Sequence, residues 1–459
     1  MDLKGKKVLV VGLGKSGLAA ALFLRKRGAQ VTVSDMRSAE ALARDIPALL
    51  EEGIMVEAGG HGLLTFRRQD LIVVSPGVPL DTPELVQVKK LGLPVIGELE
   101  LAARYLRGQM IAITGSNGKT TTTTLVGEIL MADCLPTLVG GNIGVPVVSL
   151  IDESTDGSWS VLEVSSFQLE STIDFHPRIA LILNITPDHL DRHGDLEHYA
   201  RAKERIFAAQ DANDFLVLNA DNALAADAAG RAASQVVWFS IEQAVERGAW
   251  VENGQVLYRA AKGAAPQPVL PLGEIPLKGA HNIENVLAAV CAARLAGVGA
   301  ATIRASVKNF HAVEHRLEFV ANICGVDYYN DSKATNVDAA AKAISAFPRG
   351  IHLILGGKDK NSDYSELNQL LKERVRAVYT IGAAAEKIES QIRGVVSIHS
   401  SGTLEKAIHD AANAARPGEV VLLAPACASF DQFENYEQRG IIFKNLVQEL
   451  KEHFICPVT

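Results

Sequence analysis

The stretch TGSNGKTT, Thr114 to Thr121, follows the apolar run Met110 to Ile113 and opens a segment of helical composition. Backbone N–H groups in such a glycine turn can surround a triphosphate, and the helix that follows turns its positive end toward the charge. In this reading Gly115, Ser116, Asn117, Gly118 and Thr121 line the phosphates. Lys119 reaches the β- and γ-phosphates, and the Thr120 hydroxyl faces Mg²⁺. The match to the general P-loop pattern is incomplete, because Ile113 stands where that pattern has a glycine. The bland alternative is a simple glycine turn. Gly-Lys-Thr between a strand and a helix weighs against it and sets the class as parallel α/β.

Upstream, GLGKSG (Gly12 to Gly17) follows the strand Lys7 to Val11, and Asp35 closes VTVSD about twenty residues on. Read alone, this fingerprint suggests a nicotinamide or flavin oxidoreductase. Its chemistry is broader: a glycine turn lets any nucleotide diphosphate approach a helix N-terminus, and a carboxylate meets a sugar or base. Gly14, Lys15 and Ser16 form the turn. Arg37, Ser75 and Gly77 lie at ends of the next strands, where open sheets bind ligands. A purely structural turn is the competing reading.

Downstream, Glu163 ends the strand WSVLEV, and ILNITPDHLDRHG (Ile182 to Gly194) follows a second apolar strand. A strand-end carboxylate and a loop histidine, His189, suit hard metal ions at a phosphate site. Thr186-Pro187 could instead cap a helix, with Asp188 as a first-turn acid. Lys203, in YARAKERIF, reads locally as part of a solvated charged face.

The 459 residues suggest about three domains. Apolar runs alternate with helical patterns and divide into blocks 1–108, 109–311 and 312–459. The expected fold is α/β: a Rossmann-like first domain, a central P-loop-type domain with a mixed sheet, and a Rossmann-like third domain. Glu252 to Gln255 reads as a hairpin turn and supplies the antiparallel edge. In the third block, strands are expected at Ile351–Leu355, Ala377–Ile381 and Val420–Ala424. A net charge of −8 argues against nucleic acid as the main partner. Five scattered cysteines without a CxxC pair suggest a reducing compartment and no disulfide framework. The N-terminus runs straight into a strand, with no signal-peptide pattern, so a cytoplasmic location is expected. No segment reads as a membrane span.

With these residues laid out, the chain resembles the Mur ligases through all three blocks. The ATP loop, GGNIG (Gly140 to Gly144), LEVSSFQLE, LNITPDHLDRHG, HNIENVLAA (His281 to Ala289) and the pair His315-Arg316 fall in the family's order. NDSKATN (Asn330 to Asn336) and APACASFDQFENYEQRG (Ala424 to Gly440) favour members that add D-glutamate. The resemblance implies ATP with two Mg²⁺ ions, held by Thr120, Glu163, His189 and a carbamylated Lys203. It implies that Asn285, Arg316 and Asp331 contact adenine, phosphate and ribose. The first glycine loop with Asp35 and Arg37 would hold the UDP end of UDP-N-acetylmuramoyl-L-alanine, and Asn142, Ser165 and Gln168 the muramoyl part. Thr335, Lys360, Ser429, Phe430 and Tyr436 would hold D-glutamate. The family often has Leu at the Phe430 position and Phe at the Tyr436 position, which are mild departures. The expected product arises through an acyl phosphate, in a monomer whose hinges lie near Gly108 and Ala312. A dehydrogenase reading would leave TGSNGKTT and the third block without a role. A folylpolyglutamate synthase is disfavoured by the glycine-loop first domain.

Overall fold

A computed structural model describes residues 1–142, 144–311 and 313–453, without the side chains of Asp191 and His453. The boundary and hinge expected at Ala312, and Cys456, lie outside the described residues.

The first sheet has five parallel strands in the spatial order Met55–Ala58, Gln30–Asp35, Lys7–Val11, Leu71–Val74, Val95–Gly97. Leu9, Val11, Ile72 and Val74 pack with Phe66, Leu85 and Val88 in one core. Strands covered on both faces read as continuous apolar runs, as VLVV and LIVV do. The strand order reverses beside Lys7–Val11, so the loop after Val11 opens into the crevice where such sheets bind ligands. At Gly17 a Cβ would come within 1.9 Å of the Gly12 carbonyl oxygen, so only glycine lets helix Lys15–Lys26 lie this close to its loop.

The second sheet has nine strands, with Gln109–Thr114 between Ile179–Ile182 and Trp159–Glu163. Its far edge is antiparallel: Gly248–Glu252 pairs with Gln255–Arg259, which pairs with Gln267–Pro271. The expected hairpin is present, with Asn253 at φ 50° and Gly254 at φ 73°. Two consecutive positive φ values are what a tight turn between right-twisted strands requires.

The third sheet has six strands, in the order Glu318–Ile323, Val326–Asn330, Val420–Leu423, Ile351–Gly356, Val375–Ile381, Ser397–Gly402. Only its first pair is antiparallel. The first two sheets fall in one compact unit and the third in another, which also takes in residues 186–196 and 273–284.

The chain passes from the first sheet to the second through helix Glu98–Ala103. Glu98 and Glu100 are buried there. Glu98 accepts the Val148 N–H at 2.7 Å, and Glu100 accepts the Ile173 N–H at 2.8 Å and the Arg104 guanidinium at 2.8 Å. Gly108, expected as a hinge, has φ +80° and no room for a Cβ, which would meet the Ser158 carbonyl oxygen at 2.2 Å. This junction is closely packed. Cys134, Cys291 and Cys427 are free thiols. Among the described residues no helix is long and apolar enough to cross a membrane.

Candidate active site

Strand Gln109–Thr114 ends at Gly115, and helix Lys119–Ala132 starts after Gly118. Gly118 has φ +85°, and a Cβ there would meet Asn285 Oδ1 at 2.1 Å, so conformation and close approach both demand glycine. Asn184 holds the loop from the end of the neighbouring strand. Its Oδ1 accepts the Asn117 N–H at 2.9 Å, its amide donates to the Asn117 carbonyl at 3.1 Å, and its own carbonyl accepts the Ser116 N–H at 3.0 Å. Lys119 folds over the loop, its Nζ donating to the carbonyls of Gly115 at 2.8 Å and Ser116 at 2.9 Å. Sequence reading passed over Asn184, although it lies in a segment singled out above. A polar residue directly after a fully apolar strand was the available signal.

Beside this loop the Thr120 hydroxyl donates to Glu163 Oε2 at 2.7 Å, and Asn142 Nδ2 donates to Oε1 at 3.2 Å. Glu163 is 2% exposed. A buried carboxylate held by neutral donors is short of positive charge. Hard oxygen donors suit Mg²⁺, so these residues fit the ion the resemblance implies.

Lys203 corrects the local reading. It is 1% exposed, donates to the Gly115 carbonyl at 2.9 Å and lies 4.4 Å from the Tyr199 ring centre. Tyr199 and Lys203 are four residues apart and share the inward stripe of helix Leu196–Glu204, whereas the Arg201 side chain is half exposed. Composition reports the charges of a helix, not the face each one takes.

The first glycine loop is organised differently. Asp35 accepts the N–H groups of Leu13 at 2.6 Å and Arg37 at 2.8 Å, and the Arg37 guanidinium at 2.9 Å. Arg37 also donates to the Leu13 carbonyl at 2.7 Å. Burial pushes the Asp35 carboxyl up, but Arg37 and the two backbone N–H groups outweigh it and hold the group at about 2. Ser75 Oγ donates to the Gly12 carbonyl at 2.7 Å. Asp35, Gly12 and Gly77 line a cavity of about 400 Å³. Gly14 precedes the helix that Lys15 and Ser16 begin. Ser165 and Gln168 are joined in a reciprocal capping box on the short helix Ser166–Leu169.

Residues 6–97 match the Mur ligase MurD-like N-terminal domain, 113–293 the Mur ligase middle domain, and 315–427 the Mur ligase glutamate ligase domain. The chain belongs to the Mur ligase family. It is 71% identical to the UDP-N-acetylmuramoylalanine–D-glutamate ligase of Acidobacterium capsulatum, over 97% of each chain. It is 58% identical to the enzyme of that name from Koribacter versatilis, over 98% of this chain and 99% of the other. A pseudomurein peptide ligase of Methanothermus fervidus shares the fold, with a TM-score of 0.61 at 20% identity, over 97% of this chain and 100% of the other.

In this Mur ligase the remaining site residues lie in the unit of the third sheet. His189 has φ 53° and precedes the short helix Leu190–His193, and its Nε2 is 3.6 Å from Asp188. Thr186 is not the helix cap it could have been: it lies ahead of that helix, and its hydroxyl donates to Asp338 at 3.0 Å. Asp188 accepts Asn336 Nδ2 at 3.0 Å and lies 3.9 Å from Lys360 Nζ, which ties it to NDSKATN. Burial pushes the Asp331 carboxyl up to about 7, against the pull of Arg316 and the Leu317 N–H.

Arg439, unremarked in the sequence, is fully buried and joins three segments. Its guanidinium donates to Ser332 Oγ at 2.9 Å, the Ser332 carbonyl at 2.8 Å and the Cys427 carbonyl at 3.2 Å. Ser332 Oγ donates in turn to the Tyr436 carbonyl at 2.8 Å, and Lys333 lies 3.6 Å over the Tyr436 ring. Ser429 is buried, Thr335 half-buried, and Phe430 67% exposed.

Proposed function

We propose that this Mur ligase joins D-glutamate to UDP-N-acetylmuramoyl-L-alanine in peptidoglycan precursor synthesis, hydrolysing ATP to ADP and phosphate. The observation that carries the reading is 71% identity along nearly the whole chain, together with a glycine loop beside a buried carboxylate. A carboxylate and an amine do not condense in water to a useful extent. Phosphorylation of the alanyl carboxylate gives an acyl phosphate. The D-glutamate amine then attacks, and phosphate leaves.

Phosphoryl transfer is governed by positioning and charge neutralisation. Gly115 to Thr121 would cradle the triphosphate, with Lys119 leaving its two carbonyls to meet the phosphates. Thr120 and Glu163 would hold Mg²⁺, which supplies charge neutralisation. A second ion, with His189 and a carbamylated Lys203 as ligands, is part of the proposal. Asn285, Arg316 and Asp331 are assigned to ATP. Asp35, Arg37 and the first glycine loop are assigned to the UDP end, and Asn142, Ser165 and Gln168 to the muramoyl part. Thr335, Lys360, Ser429, Phe430 and Tyr436 are assigned to D-glutamate. Domains 1–108, 109–311 and 312–459 divide the UDP-substrate, the nucleotide and the amino acid among them. The enzyme acts as a cytoplasmic monomer.

The test is phosphate release from ATP and Mg²⁺. Release should require both the UDP-substrate and D-glutamate, and L-glutamate should not replace the latter. Hydride transfer with added NAD(P)⁺ and untouched ATP would overturn the reading.

A further inference from the structure

Helix Glu98–Ala103 carries two buried carboxylates that none of the assignments above uses. Each grips backbone N–H groups next to residues assigned to the muramoyl part. Glu98 accepts the Val148 N–H at the start of the short helix Val147–Glu153, where a helix leaves its N–H groups without internal partners. That helix begins just after the loop that carries Asn142, and the Gly141 N–H closes this loop by donating to the Val145 carbonyl at 2.8 Å. Glu100 accepts the N–H groups of Ile173 at 2.8 Å and Asp174 at 3.1 Å, just beyond the helix capped by Ser165 and Gln168. Arg104 bridges Glu100 and Asp174. At its other end the glutamate helix continues strand Val95–Gly97 of the first sheet. There the Gly97 N–H donates to the Ser171 carbonyl at 3.2 Å, and a Cβ at Gly97 would meet Ser171 Oγ at 2.1 Å.

Apolar side chains would bury this helix at lower cost, because a carboxylate taken out of water to meet neutral donors is expensive. Burial pushes the Glu98 carboxyl up to about 7, against the pull of the Val148 and Val147 N–H groups. Its Oε2 has no hydrogen-bond partner among the described residues. What a hydrogen bond adds over apolar contact is direction: it fixes one N–H at one place on the helix. A substrate held at the first glycine loop and phosphorylated at the second must match the spacing between the two sheets. We propose that Glu98 and Glu100 are positioning residues for the ligation. Through them the helix that leaves the first sheet holds the segments of Asn142 and of Ser165 and Gln168 in register with that sheet, and so aligns the alanyl carboxylate with ATP. This rests on the reading that Asn142, Ser165 and Gln168 hold the muramoyl part. A misplacement of about 1 Å at a reacting centre can cost about a hundredfold in rate.

The experiment sets turnover of UDP-N-acetylmuramoyl-L-alanine beside calorimetric binding of UDP alone, in the full-length protein and its variants. Glu98→Ala and Glu100→Ala should each lower kcat/KM for the UDP-substrate about a hundredfold, while Kd for UDP and KM for ATP stay within about twofold. Glu98→Gln keeps an oxygen acceptor for the Val148 N–H and should recover most of the loss. Parent-like kcat/KM in either alanine variant removes that glutamate from the role. UDP, ATP and substrate constants that all weaken together with the thermal midpoint overturn the proposal, because a merely structural role has that signature. If Glu98→Ala does not fold, Glu98→Asp, with a carboxyl group one methylene shorter, must show the same split, and parent-like constants there overturn the proposal for Glu98. Asn142→Ala separates the two levels. An unchanged KM for the UDP-substrate in that variant overturns the muramoyl reading and the proposal with it. A raised KM there, with parent-like constants in the glutamate variants, removes only the proposal.

Discussion

The glycine turns Gly12 to Gly17 and Gly115 to Gly118 each join a strand to a helix, and they differ in where their charges lie. At the first, a carboxylate and a guanidinium are paired: Asp35 grips Leu13 N–H and Arg37, whose side chain is 51% exposed. At the second, a carboxylate and an amine are both buried, Glu163 among neutral donors and Lys203 against a carbonyl and a ring. A buried carboxylate met by neutral donors is costly unless a ligand supplies the opposite charge. The backbone turn is shared. The side chains brought by neighbouring strands and helices decide whether its carboxylate is met by a cation, as Asp35 is, or by a hydroxyl and an amide, as Glu163 is.

The sharpest way to break this contrast is at the second loop. Lys119→Ala should lower turnover by about 10²–10³, as loss of a preorganised charge at a transition state does, with little change in thermal midpoint. Near-normal turnover in that variant would make the second turn as structural as the bland alternative has it. Lys203→Ala should lose about a hundredfold in turnover, and acetate should restore part of it by filling the vacated anion position. Activity equal to the parent's at low and high bicarbonate alike would reduce Lys203 to a packing residue.

At the first loop the expected effects are smaller. Arg37→Ala should raise KM for the UDP-substrate about tenfold and leave KM for ATP unchanged, since the residue serves one ligand only. Equal weakening of both would mean the two turns are not separate sites. The smallest effect concerns pH. The folded Asp35 value of about 2 lies below its ordinary 3.8, so its contribution to stability is present above 3.8 and lost as pH falls toward 2. Asp35→Asn should flatten that acid limb in thermal melts by on the order of 1 kcal/mol, because Arg37 is half exposed and screened. A limb of unaltered slope would show that the latch adds nothing.

Much of the fold was legible because its strands are covered on both faces. VLVV, LIVV and VVLL are unbroken apolar runs bounded by polar or glycine-rich turns, and the structure places strands there. The hairpin at Asn253-Gly254 was legible because positive φ at two successive positions has few residue solutions. The start of a helix at Lys119 was legible because Gly-Lys-Thr after a strand is a local pattern.

Asn184 and Arg439 carried no comparable mark, because each acts through a partner distant in sequence. Asn184 clamps a loop 67 residues away, and Arg439 reaches Ser332 across 107 residues. By itself the sequence determined the α/β class, the two glycine turns and, by resemblance, the family, all of which depend on short-range spacing or ordered motifs. Only the tertiary structure decided that Lys203 faces inward while its neighbour Arg201 faces out, and that Asp188, besides accepting the His189 N–H, is tied to Asn336 of NDSKATN. Periodicity sets which residues share a helix face. Packing against other elements sets which face is buried, and an amine or carboxylate changes its chemistry when it moves from water into that interior.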